Sequence, residues 1–509
     1  MLPSPRGSVR RRLTAAARRV VRAPGARRGR RAALAAVAMA LVLPAAAVPV
    51  TAGAPAPAAV RPAAGAGAGR AAVHAVAGII PGAAAYGRGA AAIPAVAGAP
   101  VIRLQSPQPL STAKCLATFN LRCYSPVQYR VAYDLAPLYR ANVTGAGRTI
   151  VIVDSFGSPT IRNDLAVFDR QWGLPDPELD VLKLGRLPAF SASSPALDGW
   201  AEETTMDVEY AHAIAPGARI LLLETPVAET EGVTGFPEMM TAEKYVIDHD
   251  LGDVISQSFG ATENTFPGFS QGDDASLLSL RGAFTDAASH HVTVLAASGD
   301  SGATDDEADG ATTYPYRAIS WPSSDPLVTS VGGTQLLLAQ DGNKIQPDQV
   351  WNDTYGAGGG GVSRVFSRPA YQDGVRNVVG GRRGAPDISM SAAVSGGCWI
   401  YESFEATGAG WEILGGTSEA TPMFAGLVAL ADQVAGRRLG AINTALYALG
   451  TASRAADPLL RTGIIDVTSG GNTYGPVAGY AAAPGYDLAS GWGTVDAARF
   501  VPALARAGT

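Results

Sequence analysis

Histidine is scarce in this 509-residue chain: the five are His74, His212, His249, His290 and His291. A serine acting as a nucleophile would therefore have few histidines to take its proton. Cysteine is scarcer still, at three, which allows one disulfide at most. Cys115 and Cys123 stand close together ahead of the first strong strand, so an exported chain could bridge them and leave Cys398 unpaired. No Asp or Glu precedes Asp134, whereas 15 of the 40 Lys and Arg lie at or before Arg103. The remainder holds 25 basic and 44 acidic residues, a net of −19 concealed by the overall −4. That acidic body excludes nucleic acid as the expected partner, because neutralising phosphates needs clustered Lys and Arg.

Long uninterrupted apolar runs are missing too. Residues 1–31 hold 11 Arg, and "AALAAVAMALVLPAAAVPVTAGA" follows, with Pro44 and Pro49 breaking it. A basic n-region, a short apolar core and small residues at its end describe a secretory signal over 1–54. No stable membrane span is expected once the signal is removed, since the proline-free run falls short of about 20 residues. The chain is thus expected to be secreted. Residues 55–107 are mostly Ala, Gly, Pro and Val without periodicity, the composition of a disordered linker. From 108 to 509 charges, aromatics and apolar runs are interleaved without a further break, which indicates one large catalytic-type domain, expected to be a monomer.

Within that domain "RTIVIVDS", "ARILLLE", "DVISQSFG" and "VTVLAASGD" are rich in β-branched residues and leucine and alternate little. Strands of that kind are covered on both faces, as in an α/β fold with a mostly parallel sheet and helices on both sides. Ligand and catalytic sites in such folds gather at the carboxyl ends of strands. Asp154, Ser258 and Asp300 fall at such ends.

"GGTSEATPMFAG" raises the central question. Met423, Leu427 and Leu430 are spaced for a helix, with Pro422 in its first turns, where proline is tolerated. Ser418 at the start of that helix is either an N-cap or a nucleophile facing the positive end of the dipole. A second helical stretch, "GWAEETTMDVEYAHAIAPGA", puts Glu203 and Asp207 at i, i+4 on one face, while Glu202 is rotated off it. Two carboxyls so placed either belong to a solvated acidic face, which Glu202 and Glu209 would suit, or share a proton as a base and its partner. His212, on the same stretch, is the one histidine in a credible position to act as a base.

Four ordered motifs carry a resemblance: "WAEETTMDVE", "LAASGDSGA", "GGTSEATP", and "DVTSGGN" followed by "APGYD". They resemble, in order, the E-x-x-x-D helix, the SGD-x-G loop, the G-T-S-x-x-x-P turn and the calcium loop of the sedolisin family, serine-carboxyl peptidases with a subtilisin-like fold. The resemblance implies Ser418 as nucleophile, Glu203 as general base, Asp207 as its partner and Asp300 in the oxyanion hole. It implies a peptide or unfolded protein as substrate, with backbone at Ser258, Phe259 and Gly260 pairing to an extended segment. It also implies one structural Ca2+ held by the side chains of Asp466 and Asp487 and the carbonyls of Val467, Ala483 and Gly485, a set of oxygens suited to that ion. The family commonly has glycine where this chain has Ala483. Its members usually carry a large folded prosegment. About 50 low-complexity residues stand in that place here, which suggests a bacterial secreted member without one.

The chemistry accounts for the scarce histidine. A glutamate, with a reference pKa near 4.3, still accepts a proton in acid where histidine is already charged. An aspartic acid can donate to an oxyanion only while neutral, so its pKa must lie above the working pH. Both requirements point to acid operation. Two other readings stand beside this one: a neutral subtilisin-type triad of Asp154, His212 and Ser418, and a catalytically silent peptide-binding envelope protein on the same fold.

Overall fold

Ile150 and Ile152 point to one side of the strand Thr149–Ser155, and Val151 and Val153 to the other; all four are fully buried. A strand apolar on both faces needs cover on both, and that requirement organises the molecule. The computed structural model describes residues 75–79, 100–405, 408–454 and 462–508. The signal reading of 1–54 and most of the linker reading of 55–107 lie outside these residues.

Thr149–Ser155 pairs in parallel with Arg219–Thr225 on one side and Val254–Gln257 on the other. Leu179–Lys183 extends the sheet beyond Arg219–Thr225, and Thr293–Ala297 and Thr329–Gln335 extend it in the other direction, all in parallel. Ile388–Ser391 joins Thr329–Gln335 in parallel, and only the short Gln349–Val350 runs antiparallel in this eight-stranded sheet. Phe236–Asp248 and Gly282–Ser289 cover the Val151 face, where Phe236, Met239, Phe284 and Trp321 pack together. The helices Pro195–Ile214, Thr417–Ala435 and Ala497–Ala507 cover the Ile150 face. The result is the α/β fold expected from the apolar runs.

A second, mixed sheet has the order Ala75–Ile79, Pro100–Leu104, Gly410–Leu414, Gly397–Glu402, Cys123–Tyr124. It corrects the linker boundary, because Pro100–Leu104 lies within the 55–107 segment yet pairs with Gly410–Leu414. The cause is Arg103, whose guanidinium contacts Glu202 (3.2 Å), Glu402 (2.5 Å), Glu405 (2.9 Å) and Glu412 (2.7 Å). Ile102 and Leu104, flanking it, are buried in the core. Composition marked this stretch as linker, but a half-buried arginine among four glutamates is a long-range feature that composition does not report. Nearby, Cys115 and Cys123 form a disulfide with Cα atoms 6.0 Å apart, while Cys398 is free and buried.

Candidate active site

The serine helix begins at Thr417, with Gly416 as its cap at φ 121°, a left-handed value that favours glycine. Ser418 is therefore the second helical residue rather than the cap, and its side chain is free for other work. Proline at 422 removes the N–H that would have bonded the Ser418 carbonyl one turn back. The Ser258 hydroxyl, at the end of Val254–Gln257, lies 3.4 Å from that carbonyl and 3.0 Å from Asp207 Oδ1. The shorter contact is the hydroxyl's donation to Asp207, with the Ser418 carbonyl a second, longer acceptor for the same proton.

Glu203 and Asp207 are both fully buried on the helix Pro195–Ile214. The solvated-face alternative fails here, since Glu202 and Glu209 are buried as well. The four acids have different surroundings. Glu202 turns to Arg103 at 3.2 Å, and Glu209 accepts the Tyr401 N–H at 3.2 Å. Neither Glu203 oxygen makes a well-formed hydrogen bond, but the Ser418 and Ser258 hydroxyls are the polar groups beside it. Catalytic hydrogen bonds are often loose before substrate binds. Burial pushes the Glu203 carboxyl well above the ordinary range. The Ser418 hydroxyl opposes this, and the charges of Asp154 and Asp300 reinforce it. Asp207 is pushed up well too, first by burial and then by Glu203 and Asp154.

Asp154, at the end of the central strand, completes the group. It is fully buried, and burial raises its carboxyl to about 7, with the Thr204 hydroxyl opposing. Three buried carboxyls in one place cannot all ionise, so they hold protons in common.

Asp300 comes from the loop after Thr293–Ala297 and meets the serine helix at its start. Its Oδ1 accepts the Thr417 N–H at 2.8 Å and the Thr417 hydroxyl at 2.9 Å. Burial raises its pKa to about 6 against these two bonds, with Asp353 adding to the rise. The loop is held from behind: the Gly359 N–H donates to the Gly299 carbonyl at 2.7 Å, and the Ser298 hydroxyl donates to the Gly359 carbonyl at 2.9 Å. A Cβ at position 359 would lie 2.0 Å from the Ser298 oxygen, so glycine is needed there for close approach.

His212 is engaged elsewhere. Its Nε2 lies 2.9 Å from the Pro175 carbonyl and 3.4 Å from Asp169, and burial lowers its pKa to about 4. It sits nine residues beyond Glu203, roughly 13 Å along the same helix.

Residues 199–478 match the family model described as "Subtilase family". This chain belongs to the subtilase family. Within it the likeness is to the sedolisins. Kumamolisin of Bacillus sp. (strain MN-32) is 32% identical over 391 residues, which cover 75% of this chain and 63% of kumamolisin. Sedolisin of Pseudomonas sp. (strain 101) is 30% identical over 396 residues, 76% of this chain and 62% of sedolisin. The chain thus spans less than two thirds of the length of these relatives. The structure of Pseudomonas sedolisin complexed with two molecules of pseudo-iodotyrostatin superposes with a TM-score of 0.60 at 28% identity, over 75% of this chain and 97% of that one.

Two further regions of this subtilase-family chain were expected to bind. In the substrate-strand reading, Ser258 and Phe259 are buried, Phe259 against Phe236 with ring centroids 6.0 Å apart. The Ser258 side chain, in contrast, turns to Asp207 in the acid group, in keeping with its position at a strand's carboxyl end. In the calcium-loop reading, Asp466 Oδ2 accepts the Gly485 N–H at 2.7 Å and Asp487 Oδ2 accepts the Ala483 N–H at 2.9 Å. These bonds set Gly485 beside Asp466 and Ala483 beside Asp487, residues whose side-chain and carbonyl oxygens are of the kind Ca2+ takes. Ala483 is not among the residues of positive φ, so alanine is accommodated where the family commonly has glycine. Among the described residues no helix is long and apolar enough to cross a membrane.

Proposed function

We propose that this chain is a secreted serine-carboxyl peptidase that hydrolyses peptide bonds in proteins at acidic pH. One observation carries the reading: Ser418, Glu203 and Asp207 share a buried, histidine-free group, and Asp300 stands at the start of the serine helix. In this mechanism Ser418 Oγ attacks the scissile carbonyl and passes its proton to Glu203. The charge developing on the carbonyl oxygen is met by the O–H of neutral Asp300. Glu203 then gives its proton to the leaving amine, and water repeats the sequence to free the acyl group. Asp207, accepting the Ser258 hydroxyl, steadies Glu203 and shares with it the single charge the group can hold. An extended peptide or unfolded protein pairs with the Ser258–Gly260 backbone.

The Arg-rich leader supports export, and the placing of Gly485 at Asp466 and of Ala483 at Asp487 supports one structural Ca2+ on those aspartates with the carbonyls of Val467, Ala483 and Gly485. That ion would hold the loop together and take no part in bond cleavage. The subtilisin-type reading would need His212 at Ser418, and the contacts of His212 with Pro175 and Asp169 argue against it.

The test is cleavage of a denatured protein at about pH 4, in the carboxylate range, by wild type, Ser418→Ala and His212→Gln. Loss in the first variant with retention in the second is expected. Full activity of Ser418→Ala would overturn the proposal, and loss in both variants, with His212→Gln folded, would favour the triad.

A further inference from the structure

An open cleft of about 560 Å³ is lined by Arg317, Ala318, Gly361, Val362, Ser363, Arg364, Arg382 and Tyr480. Three guanidinium groups at one cleft stand out in a body whose net charge is −19 beyond Arg103. Among the described residues none of the three has a carboxylate within ion-pair distance, whereas Arg103, Arg281, Arg368, Arg383 and Arg438 each have one. Glu263, bonded to the Arg364 backbone, is buried, and its two oxygens accept from the Ser363 hydroxyl at 2.6 Å and the Arg364 N–H at 2.7 Å.

Two of the guanidiniums are held in place without being neutralised. Arg317 stacks on the Tyr480 ring at 4.2 Å and donates to the Ala478 and Gly479 carbonyls, each at 2.9 Å. Arg364 stacks on the Tyr316 ring at 5.0 Å. Stacking and carbonyl bonds fix the planes of these groups, lowering the entropy lost when an anion is bound, and leave their charge intact. Arg382, across the Gly361–Ser367 and Arg382–Ala385 pairing, is exposed and supplies the third charge.

The cleft is tied to the candidate active site through its own wall. Gly361 lines it, and Gly359, two residues earlier, is bonded to Gly299 beside Asp300. Two residues span roughly 7 Å, so the cleft wall runs directly into the segment that backs the Asp300 loop.

We infer that this cleft is a substrate subsite for a carboxylate, the side chain of an aspartate or glutamate a few residues from the scissile bond. The inference rests on the peptidase reading. It also carries a signature of its own: arginine stays charged throughout, whereas a substrate glutamate loses its charge as pH falls through about 4.3.

The experiment compares peptide sets that differ only by Glu or Gln at one position at a time. The readout is the Glu/Gln ratio of kcat/KM at pH 5.5 and pH 3, for wild type, Arg364→Gln and Arg382→Gln. A preference of about fivefold for Glu is expected at one position, the scale of one or two exposed ion pairs. It should shrink towards unity at pH 3 and in high salt, and fall in each variant. A ratio near unity at every position, or one that the arginine substitutions leave unchanged, would overturn the inference. Should the enzyme cut nothing, the same Glu and Gln peptides are titrated against Ser418→Ala by fluorescence anisotropy at pH 5.5. Tighter binding of the Glu peptide that depends on Arg382 then upholds the subsite although the peptidase reading has failed, and equal binding overturns it. Sulfate is added in a final arm: if it binds at the arginines while Glu and Gln peptides bind alike, the cleft serves free anions and the inference is wrong.

Discussion

Replacing Asp300 by asparagine should separate the acid chemistry of this site from its fold. Asp300 Oδ1 accepts two bonds from Thr417, at 2.8 and 2.9 Å, and an amide oxygen can accept both. The other oxygen becomes an NH2, a donor at every pH. In the wild type the donor exists only while Asp300 is protonated, and its pKa is raised by burial to about 6. Two pH units above that value roughly one molecule in a hundred keeps the O–H. A lost oxyanion donor costs about 10²–10³ in rate, so the wild-type rate should fall about tenfold per unit above its limb. Glu203, once ionised, remains a competent base as pH rises and contributes no alkaline limb. The assay is kcat/KM on a quenched peptide from pH 3 to 9. Wild type should show an alkaline limb near 6, and Asp300→Asn should show that limb abolished or moved well upward. If the variant is active and its limb stays where the wild type's lies, Asp300 is not the group that titrates and the oxyanion assignment is wrong.

Further outcomes follow from other groups. Burial raises Asp154 and Asp432 to about 7, Asp169 to about 7 and Glu243 to about 8, so the folded chain binds protons that the unfolded chain releases. That stabilisation is fully present below the unfolded values of about 4 and is lost as pH rises through about 7 to 8; calorimetry should give a higher Tm at pH 4 than at pH 8, and the reverse order would contradict it. Ser258→Ala removes the hydroxyl between Asp207 and the Ser418 carbonyl. It should cost about 1–2 kcal/mol in denaturant unfolding and lower kcat more than KM, whereas an effect on KM alone would mark Ser258 as a substrate contact only. Chelating Ca2+ should lower Tm, by an amount that grows with the free calcium previously present. Asp466→Ala should make Tm insensitive to calcium, and a calcium dependence that survives the substitution would place the ion elsewhere.

Much of this could be read from the chain, for reasons that differ from element to element. The strands Thr149–Ser155, Arg219–Thr225, Val254–Gln257 and Thr293–Ala297 are legible because a strand buried on both faces must be apolar throughout. Thr329–Gln335 ("TSVGGTQ") and Ile388–Ser391 ("ISMS") carry glycine or serine where backbones pack closely, and look like loop in isolation. A Cβ at Gly333 would lie 2.8 Å from the Trp351 ring, which is why that strand cannot hold the branched residues that would reveal it. The positions of Glu203 and Asp207 were legible from their i, i+4 spacing. Their lack of exposure was not, because the helix is buried all round from Gly199 to Ile214 and an acidic stretch ordinarily faces water. The membership of Asp154 and Ser258 in the acid group depends on three strands and two helices meeting, and no local pattern encodes that.

The most direct test of the central claim is the pH–rate profile of Glu203→Gln beside wild type on a denatured protein, with product masses read at each pH. Glutamine keeps the shape of the side chain and cannot take the Ser418 proton, so a loss of about 10²–10⁴ at every pH is expected, in a protein of unchanged fold. A folded Glu203→Gln that cleaves within tenfold of wild type, at acid or neutral pH, would contradict the assignment of a carboxylate as the base for Ser418.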